Sequence, residues 1–162
     1  MRIGIGYDVH AFCTDAGDNY ITICGIKLSY KYKLAAHSDG DVALHALTDA
    51  MLGSIAMGSI GQHFPSTDPQ WQNAASKQFI EYANKLIIKQ GWIVQNIDIT
   101  IVCQEPKIMS FAVEMRLFIA EALQLQINQI NVKAVTTEWL GSLGRGEGIA
   151  AHAAILIQKT TN

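Results

Sequence analysis

Residues 92–103 constrain the fold most. Ile93, Ile97, Ile99, Ile101 and Cys103 alternate with Val94, Asn96, Asp98, Thr100 and Val102. That rhythm is the two-residue period of a β-strand. Pro106 ends the run, because proline donates no ladder hydrogen bond. A strand needs neighbours, and other segments supply them. Arg2-Ile3-Gly4-Ile5-Gly6-Tyr7 opens a strand over 2–12 with Ile3, Ile5 and Tyr7 on one face. Residues 20–23 and 26–28, with Gly25 between, read as a β-hairpin. Residues 130–136 and 149–158 read as two further strands.

Helical periodicity fills the gaps. Leu44, Leu47, Met51 and Ile55 predict a helix over about 41–57, with Ser38 or Asp39 able to cap it and Asp41 where a capping carboxylate is favoured. Ala75, Phe79, Tyr82 and Leu86 predict a second over about 74–90, stopped at Gly91. Phe111, Met115, Phe118, Ala122 and Leu125 predict a third over about 109–125. Loops are expected at 58–73 and, rich in glycine, at 141–148. With no repeat or linker in view, the expectation is one catalytic domain over 1–162. Its class is α+β, a mixed β-sheet with helices packed on one face.

Composition narrows the function. Hydrophobic residues make up 49% and charged residues 16% of the 162 positions, enough to build a full core. The net charge of −2 lacks the basic excess of a nonspecific nucleic-acid binder. No signal-like run opens the chain and no stretch reaches the about 20 apolar residues of a membrane span. Cys13, Cys24 and Cys103 are odd in number, far apart and form no CxxC pair, as expected of reduced cytoplasmic thiols.

Asp8 and His10 lie two apart on a strand, so both side chains point to one face. Asp41, His45 and Asp49 recur every four residues along one side of the first helix. Docking that helix by the strand end lets Asp8, His10 and His45 converge. Two imidazoles and a carboxylate suit a borderline-soft ion such as zinc with an open fourth position. A hydrogen-bonded Asp–His pair at a strand end reads the first two residues equally well. Asp41 and Asp49 read as a cap and a solvated face, or Asp49 as an acceptor that orients His45.

Longer motifs carry a resemblance. Asp8-Val9-His10 is followed by His37-Ser38-Asp39-Gly40-Asp41-Val42-Ala43-Leu44-His45-Ala46-Leu47-Thr48-Asp49-Ala50. Gly61, Phe64-Pro65-x-Thr67-Asp68-Pro69, Pro106-Lys107, Asn131-Val132-Lys133-Ala134-x-Thr136-Thr137-Glu138, Leu140-Gly141 and Gly144-Arg145-Gly146-Glu147-Gly148-Ile149-Ala150 follow in order. Together they resemble the 2-C-methyl-D-erythritol 2,4-cyclodiphosphate synthase family of the non-mevalonate isoprenoid pathway, over nearly the whole chain.

The resemblance implies an intramolecular phosphoryl transfer. The 2-phosphate of 4-diphosphocytidyl-2-C-methyl-D-erythritol 2-phosphate attacks the β-phosphorus, CMP leaves and a cyclic diphosphate closes. Asp8, His10 and His45 match the zinc ligands, and Glu138 matches a holder of a second ion, magnesium or manganese. His37 and Thr136 match transition-state stabilisers. Ser38 is placed to donate to a phosphate. Ser59, Ile60 and Gly61 with Phe64, Pro65, Ser66, Thr67 and Asp68 match the part that holds the methylerythritol phosphate. Cys103, Gln104, Glu105, Pro106, Lys107, Ile108 and Met109 match the cytidine pocket, together with Val135, Thr136, Thr137 and Glu138. Ser142 and Arg145 complete the implied substrate contacts, with Lys107 and Arg145 offsetting phosphate charge. The family also implies a homotrimer with active sites between subunits. Ile3, Ile5 and Tyr7 would line its axial cavity, where an isoprenoid diphosphate would be a feedback ligand.

The chain departs from the family pattern at several points. Ser59 and Ser66 stand where aspartates are usual, Val135 where a threonine is, Ser142 where an aromatic or aliphatic residue is, and His152 where a glutamate is. The two serines motivate an alternative, a noncatalytic trimeric sensor of isoprenoid diphosphates. A zinc hydrolase using metal-bound water is a second. His63 reads as an exposed loop histidine, Trp139 as packing or a flank to the nucleotide, and Gly144 to Gly148 as a structural turn, not a P-loop.

Overall fold

The computed structural model describes residues 1–13 and 20–160. The strands are β1 (Arg2–Cys13), β2 (Tyr20–Ile23), β3 (Ile26–Ser29), β4 (Lys33–Leu34), β5 (Trp92–Val102), β6 (Ile130–Val135) and β7 (Gly148–Lys159). The longer helices are α1 (Val42–Ser54), α3 (Lys77–Lys89) and α4 (Ala112–Leu123), with one-turn helices α2 (Ile60–His63) and α5 (Gly141–Gly144). The main sheet runs β4-β1-β7-β5-β6, antiparallel except for the β5–β6 pair, and β2–β3 form a separate hairpin.

Register sorts the two faces. Gly6 of β1 lies opposite Ala153 of β7, which lies opposite Ile99 of β5, which pairs with Val132 of β6. This row and its neighbours, Gly4–Ile155–Ile97–Ile130 and Asp8–Ala151–Ile101–Ala134, face the helices. The alternate row, Tyr7–His152–Thr100–Lys133, lies on the opposite face. There Ile3, Ile5, Tyr7 and Val9 remain exposed, Ile5 at 74%. Tyr7 and His152 meet at a tilt of 46°, with ring centroids 4.8 Å apart.

Several expectations shift. The register slips between Val94 and Asn96, so Val94 is buried and Ile93 is exposed, the reverse of a strict alternation from 93 to 103. The expected loops at 58–73 and 141–148 contain α2 and α5. The cap of α1 is Asp41 itself, rather than Ser38 or Asp39. Its Oδ1 accepts from Leu44 N at 3.1 Å and Cys24 N at 2.9 Å, and its Oδ2 from Gly25 N at 2.6 Å.

Asp41 therefore ties the hairpin turn to the helix that carries His45. Its truncation removes an N-cap and leaves two turn amides without their acceptor. Asp41→Ala should cost about 2–4 kcal/mol in urea unfolding. A loss under about 0.5 kcal/mol would mean that the carboxylate is not holding the turn.

Candidate metal and nucleotide site

Asp8 and His10 project from β1 towards α1, and His45 projects back from the first turns of that helix. Asp8 Oδ2 lies 2.9 Å from His45 Nδ1 and 3.1 Å from His10 Nε2, and the two nitrogens are 3.2 Å apart. A tetrahedral ion with bonds of about 2.0–2.1 Å keeps neighbouring ligand atoms about 3.3 Å apart. The observed triangle is thus one face of such a tetrahedron, slightly contracted. Burial raises the Asp8 carboxyl, but hydrogen bonds and charge from His10 and His45 outweigh it and hold the group well below the usual carboxylate range. Asp8 stays ionised at any working pH, as a ligand must.

The outward nitrogen of His45, Nε2, meets Ser38 Oγ at 3.0 Å. If Nδ1 ligates an ion, the proton moves to Nε2, which then donates to the serine. Gly40 N also donates to Ser38 Oγ, at 3.3 Å. The loop bearing His37 and Ser38 is clamped to the start of α3. Asn73 N donates to His37 O at 2.7 Å, Asp39 N to Ala74 O at 3.1 Å, and Ser76 N to Asp39 Oδ2 at 2.9 Å. Asp49 does not orient His45; its Oδ1 accepts from Ile60 N at 2.6 Å and so holds the start of α2.

A cleft of about 310 Å³ opens beside the triad. Its wall brings together His10, His37, Ser38, His45, Ile60, Gly61, Phe64 and Ser66, all expected from the sequence, with Trp71 and Phe79, which were not. Phe64 packs on Phe79 at 4.4 Å and on Trp71 at 4.9 Å between ring centroids. In the sequence Phe79 shows only as a step of the helical period, and Trp71 stands too far from the other tryptophans to suggest a stacking platform, which conceals their place in the wall.

A second pocket of about 220 Å³ holds Cys103, Gln104, Pro106, Lys107, Ile108 and Met109 from the segment after β5, with Val135 and Thr136 from the end of β6. Burial pushes the Cys103 thiol up to about 11 against the pull of Lys107, so it is an inert wall group. Thr136 Oγ1 donates to Glu138 Oε1 at 2.9 Å. Glu138 and Trp139 both adopt left-handed φ, 51° and 66°, a conformation costing on the order of 1–3 kcal/mol each. Strain of that kind gathers where a side chain must be aimed.

The two cavities share one end of the sheet. His10 pairs with Ile149, the adjacent Ala150 pairs with Val102, and Val102 pairs with Val135. Two interstrand steps, about 10 Å, separate β1 from β5, and three, about 14 Å, separate it from β6.

Residues 1–158 match the YgbB family. A 2-C-methyl-D-erythritol 2,4-cyclodiphosphate synthase from Anaplasma phagocytophilum (strain HZ) is 53% identical over 157 residues, covering 96% of this chain and 94% of the relative. The chain belongs to the 2-C-methyl-D-erythritol 2,4-cyclodiphosphate synthase family. A solved complex of the Plasmodium falciparum enzyme IspF with CDP superposes with a TM-score of 0.86 at 32% identity, over 99% of this chain and 97% of that one. The bifunctional IspDF of Campylobacter jejuni gives a TM-score of 0.92 at 38% identity, over 98% of this chain and 42% of that one.

In this member of the synthase family some expected contacts fall outside both cavities. Ser59, Pro65, Thr67 and Asp68 do not line the cleft. Ser59 N donates to Gln62 Oε1 at 3.0 Å, and Asp68 caps the short turn Pro69–Trp71 through Gln70 N. Glu105, Thr137, Glu138, Ser142 and Arg145 lie outside the second pocket. Arg145 Nε pairs with Glu147 Oε1 at 2.6 Å. His63 is held structurally, with Nε2 on Met57 O at 2.8 Å and Nδ1 by Tyr82 OH at 3.2 Å. Trp139 packs little, being 76% exposed. No helix among the described residues is long and apolar enough to cross a membrane.

Proposed function

We propose that the chain converts 4-diphosphocytidyl-2-C-methyl-D-erythritol 2-phosphate to 2-C-methyl-D-erythritol 2,4-cyclodiphosphate with release of CMP. The observation that carries this is the Asp8–His10–His45 triangle, whose two histidines line a cleft, in a chain that matches these synthases along its length. The reaction balances without a covalent enzyme intermediate. A 2-phosphate oxygen forms a bond to the β-phosphorus, and the bond from that phosphorus to the bridging oxygen breaks with its electrons leaving on CMP. Catalysis then consists of alignment and charge neutralisation.

Zinc on the triad would supply Lewis acidity to a β-phosphate oxygen. The chain's own groups do the rest. Ser38 Oγ accepts from His45 Nε2 and Gly40 N, which occupies both lone pairs and leaves its own proton for a phosphate oxygen. His37 stands exposed in the same wall, its backbone pinned by Asn73. The second pocket takes the cytidine, with the Lys107 ammonium near the phosphates and Thr136 beside the leaving group. Glu138, aimed by its left-handed backbone, would hold magnesium or manganese against the α and β phosphates.

The triad and the second pocket stand on strands about 10–14 Å apart across one sheet, which favours a homotrimer in which the triad of one subunit faces the cytidine pocket of the next. The exposed Ile3, Ile5 and Tyr7 would then line its axis, where an isoprenoid diphosphate would be the ligand.

Incubation of the substrate with magnesium should yield CMP and a cyclic diphosphate by phosphorus NMR. A linear product would mark a metal hydrolase, and no CMP from a zinc-loaded trimer would mark a sensor. Glu138→Gln should raise the magnesium requirement more than it lowers zinc content. The opposite pattern would reject the division into two ions.

A further inference from the structure

Among the described residues, two buried side-chain polar atoms lack a hydrogen-bond partner: the indole Nε1 of Trp71 and the amide Nε2 of Gln104. They do not fall at random. Trp71 lines the cleft that holds His10 and His45, and Gln104 lines the pocket that holds Thr136. The wall of each cavity therefore includes a residue whose buried donor has no partner in the fold.

Buried donors are normally paired, because an unpaired one forfeits its hydration. Trp71 sits among aromatic rings, with Phe64 at 4.9 Å and Phe79 at 6.0 Å between centroids, and their carbon edges offer no acceptor. Gln104 is only 9% exposed. An apolar side chain of the same shape would fill either place without that penalty. Both residues also stand at or just beyond the end of an element, so a side-chain turn there would bring the donor to a ligand without breaking a strand or helix. Trp71 ends the one-turn segment Pro69–Trp71, and Gln104 follows the last residue of β5 by two positions.

Resting on the assignment of the two cavities above, we infer that Trp71 and Gln104 are specificity-determining residues whose N–H groups are held for acceptors on the bound substrate. Trp71 donates to an oxygen of the phosphorylated polyol, and Gln104 donates to the acceptor edge of the pyrimidine. Phosphate oxygens, polyol hydroxyls and the O2 and N3 atoms of cytosine all accept. Trp71 also changes how the polyol is read. A carboxylate wall can only accept from hydroxyls, whereas an indole N–H can only donate.

The test exploits opposite signs. A donor that serves the fold stabilises the free protein, whereas a donor held for a ligand burdens it. A benzothiophene analogue of tryptophan at position 71 keeps the ring shape and removes the N–H, with Trp71→Phe as its encoded counterpart. Gln104→Met keeps chain length and removes the amide. The melting temperature of the ligand-free benzothiophene and Gln104→Met proteins should stay level or rise by about 2–4 °C. The KM for substrate should rise about 3- to 10-fold in the benzothiophene protein while its CDP affinity holds, and Gln104→Met should weaken CDP about 3- to 10-fold. Unchanged KM and CDP affinity overturn the inference whatever the melting temperature does. A lower melting temperature with ligand binding intact returns both donors to the fold or to a subunit contact. CMP release by the wild type is the separate control: its failure sinks the proposed reaction, while CDP affinity still decides Gln104.

Discussion

His45→Ala will leave a folded protein that no longer retains zinc, and CMP release will fall by at least about 10²- to 10³-fold. The side chain is the only one of the three proposed ligands that comes from a helix, and both of its nitrogens are engaged. Nδ1 lies 2.9 Å from Asp8 Oδ2, and Nε2 lies 3.0 Å from Ser38 Oγ. Alanine leaves Asp8 and His10 as a two-ligand site on one strand, too few to hold the ion against water. The fold should tolerate the loss, since the ring edges a cleft and touches Phe79 only at 6.0 Å between centroids. Metal analysis and a thermal melt decide the matter together. Full zinc content in a folded variant would remove His45 from the ligand set. Ser38→Ala gives the graded comparison, because a residue that orients a ligand typically costs about 10- to 100-fold in metal affinity. If excess zinc restores its zinc content but not its turnover, Ser38 also meets the phosphate.

Much of this site is legible in the sequence because period and chemistry agree. Asp8 and His10 share a strand face by alternation alone, and the helix over about 41–57 appears as α1, Val42–Ser54. What stays hidden has particular physical reasons. One extra residue at the β5 bulge turns Ile93 outward and Val94 inward, and no local pattern announces it. One-turn helices such as α2 are too short to show a period, so Asp49 could not be read as the acceptor for Ile60 N. Phe79 follows the helical period as a buried core aromatic, yet with the partly buried Trp71 it also lines the cleft. Gly4 and Gly6 are the clearest omission. Alternation places Ile3, Ile5 and Tyr7 on one face, but it gives no reason why the other face is bare.

That reason produces the second large effect. A Cβ on Gly6 would lie 1.9 Å from Ala46 O, and one on Gly4 1.8 Å from Ala50 O. Both oxygens belong to the backbone of α1, so no rotamer relieves the contact. Gly6→Ala must push the helix from the sheet by more than 1 Å, on the order of the difference from an ordinary carbon–oxygen contact. Overpacking of this kind costs about 3 kcal/mol or more, about 6–12 °C in a chain of this length. The damage reaches the metal as well, because Ala46 follows His45 and Gly6 precedes Asp8 by two residues. The ligand triangle, closed to within 3.2 Å by the strand–helix contact, would open by about the same amount. The expected result is a marked fall in melting temperature together with lost zinc affinity. Gly53→Ala on the same helix meets nothing within 4 Å and should instead stabilise by about 0.4–1 kcal/mol. If Gly6→Ala melts within 2 °C of the wild type, by the ordinary tolerance of about 0.5 kcal/mol for a surface change, then bare strand backbone against helix carbonyls is not what brings His45 to Asp8 and His10.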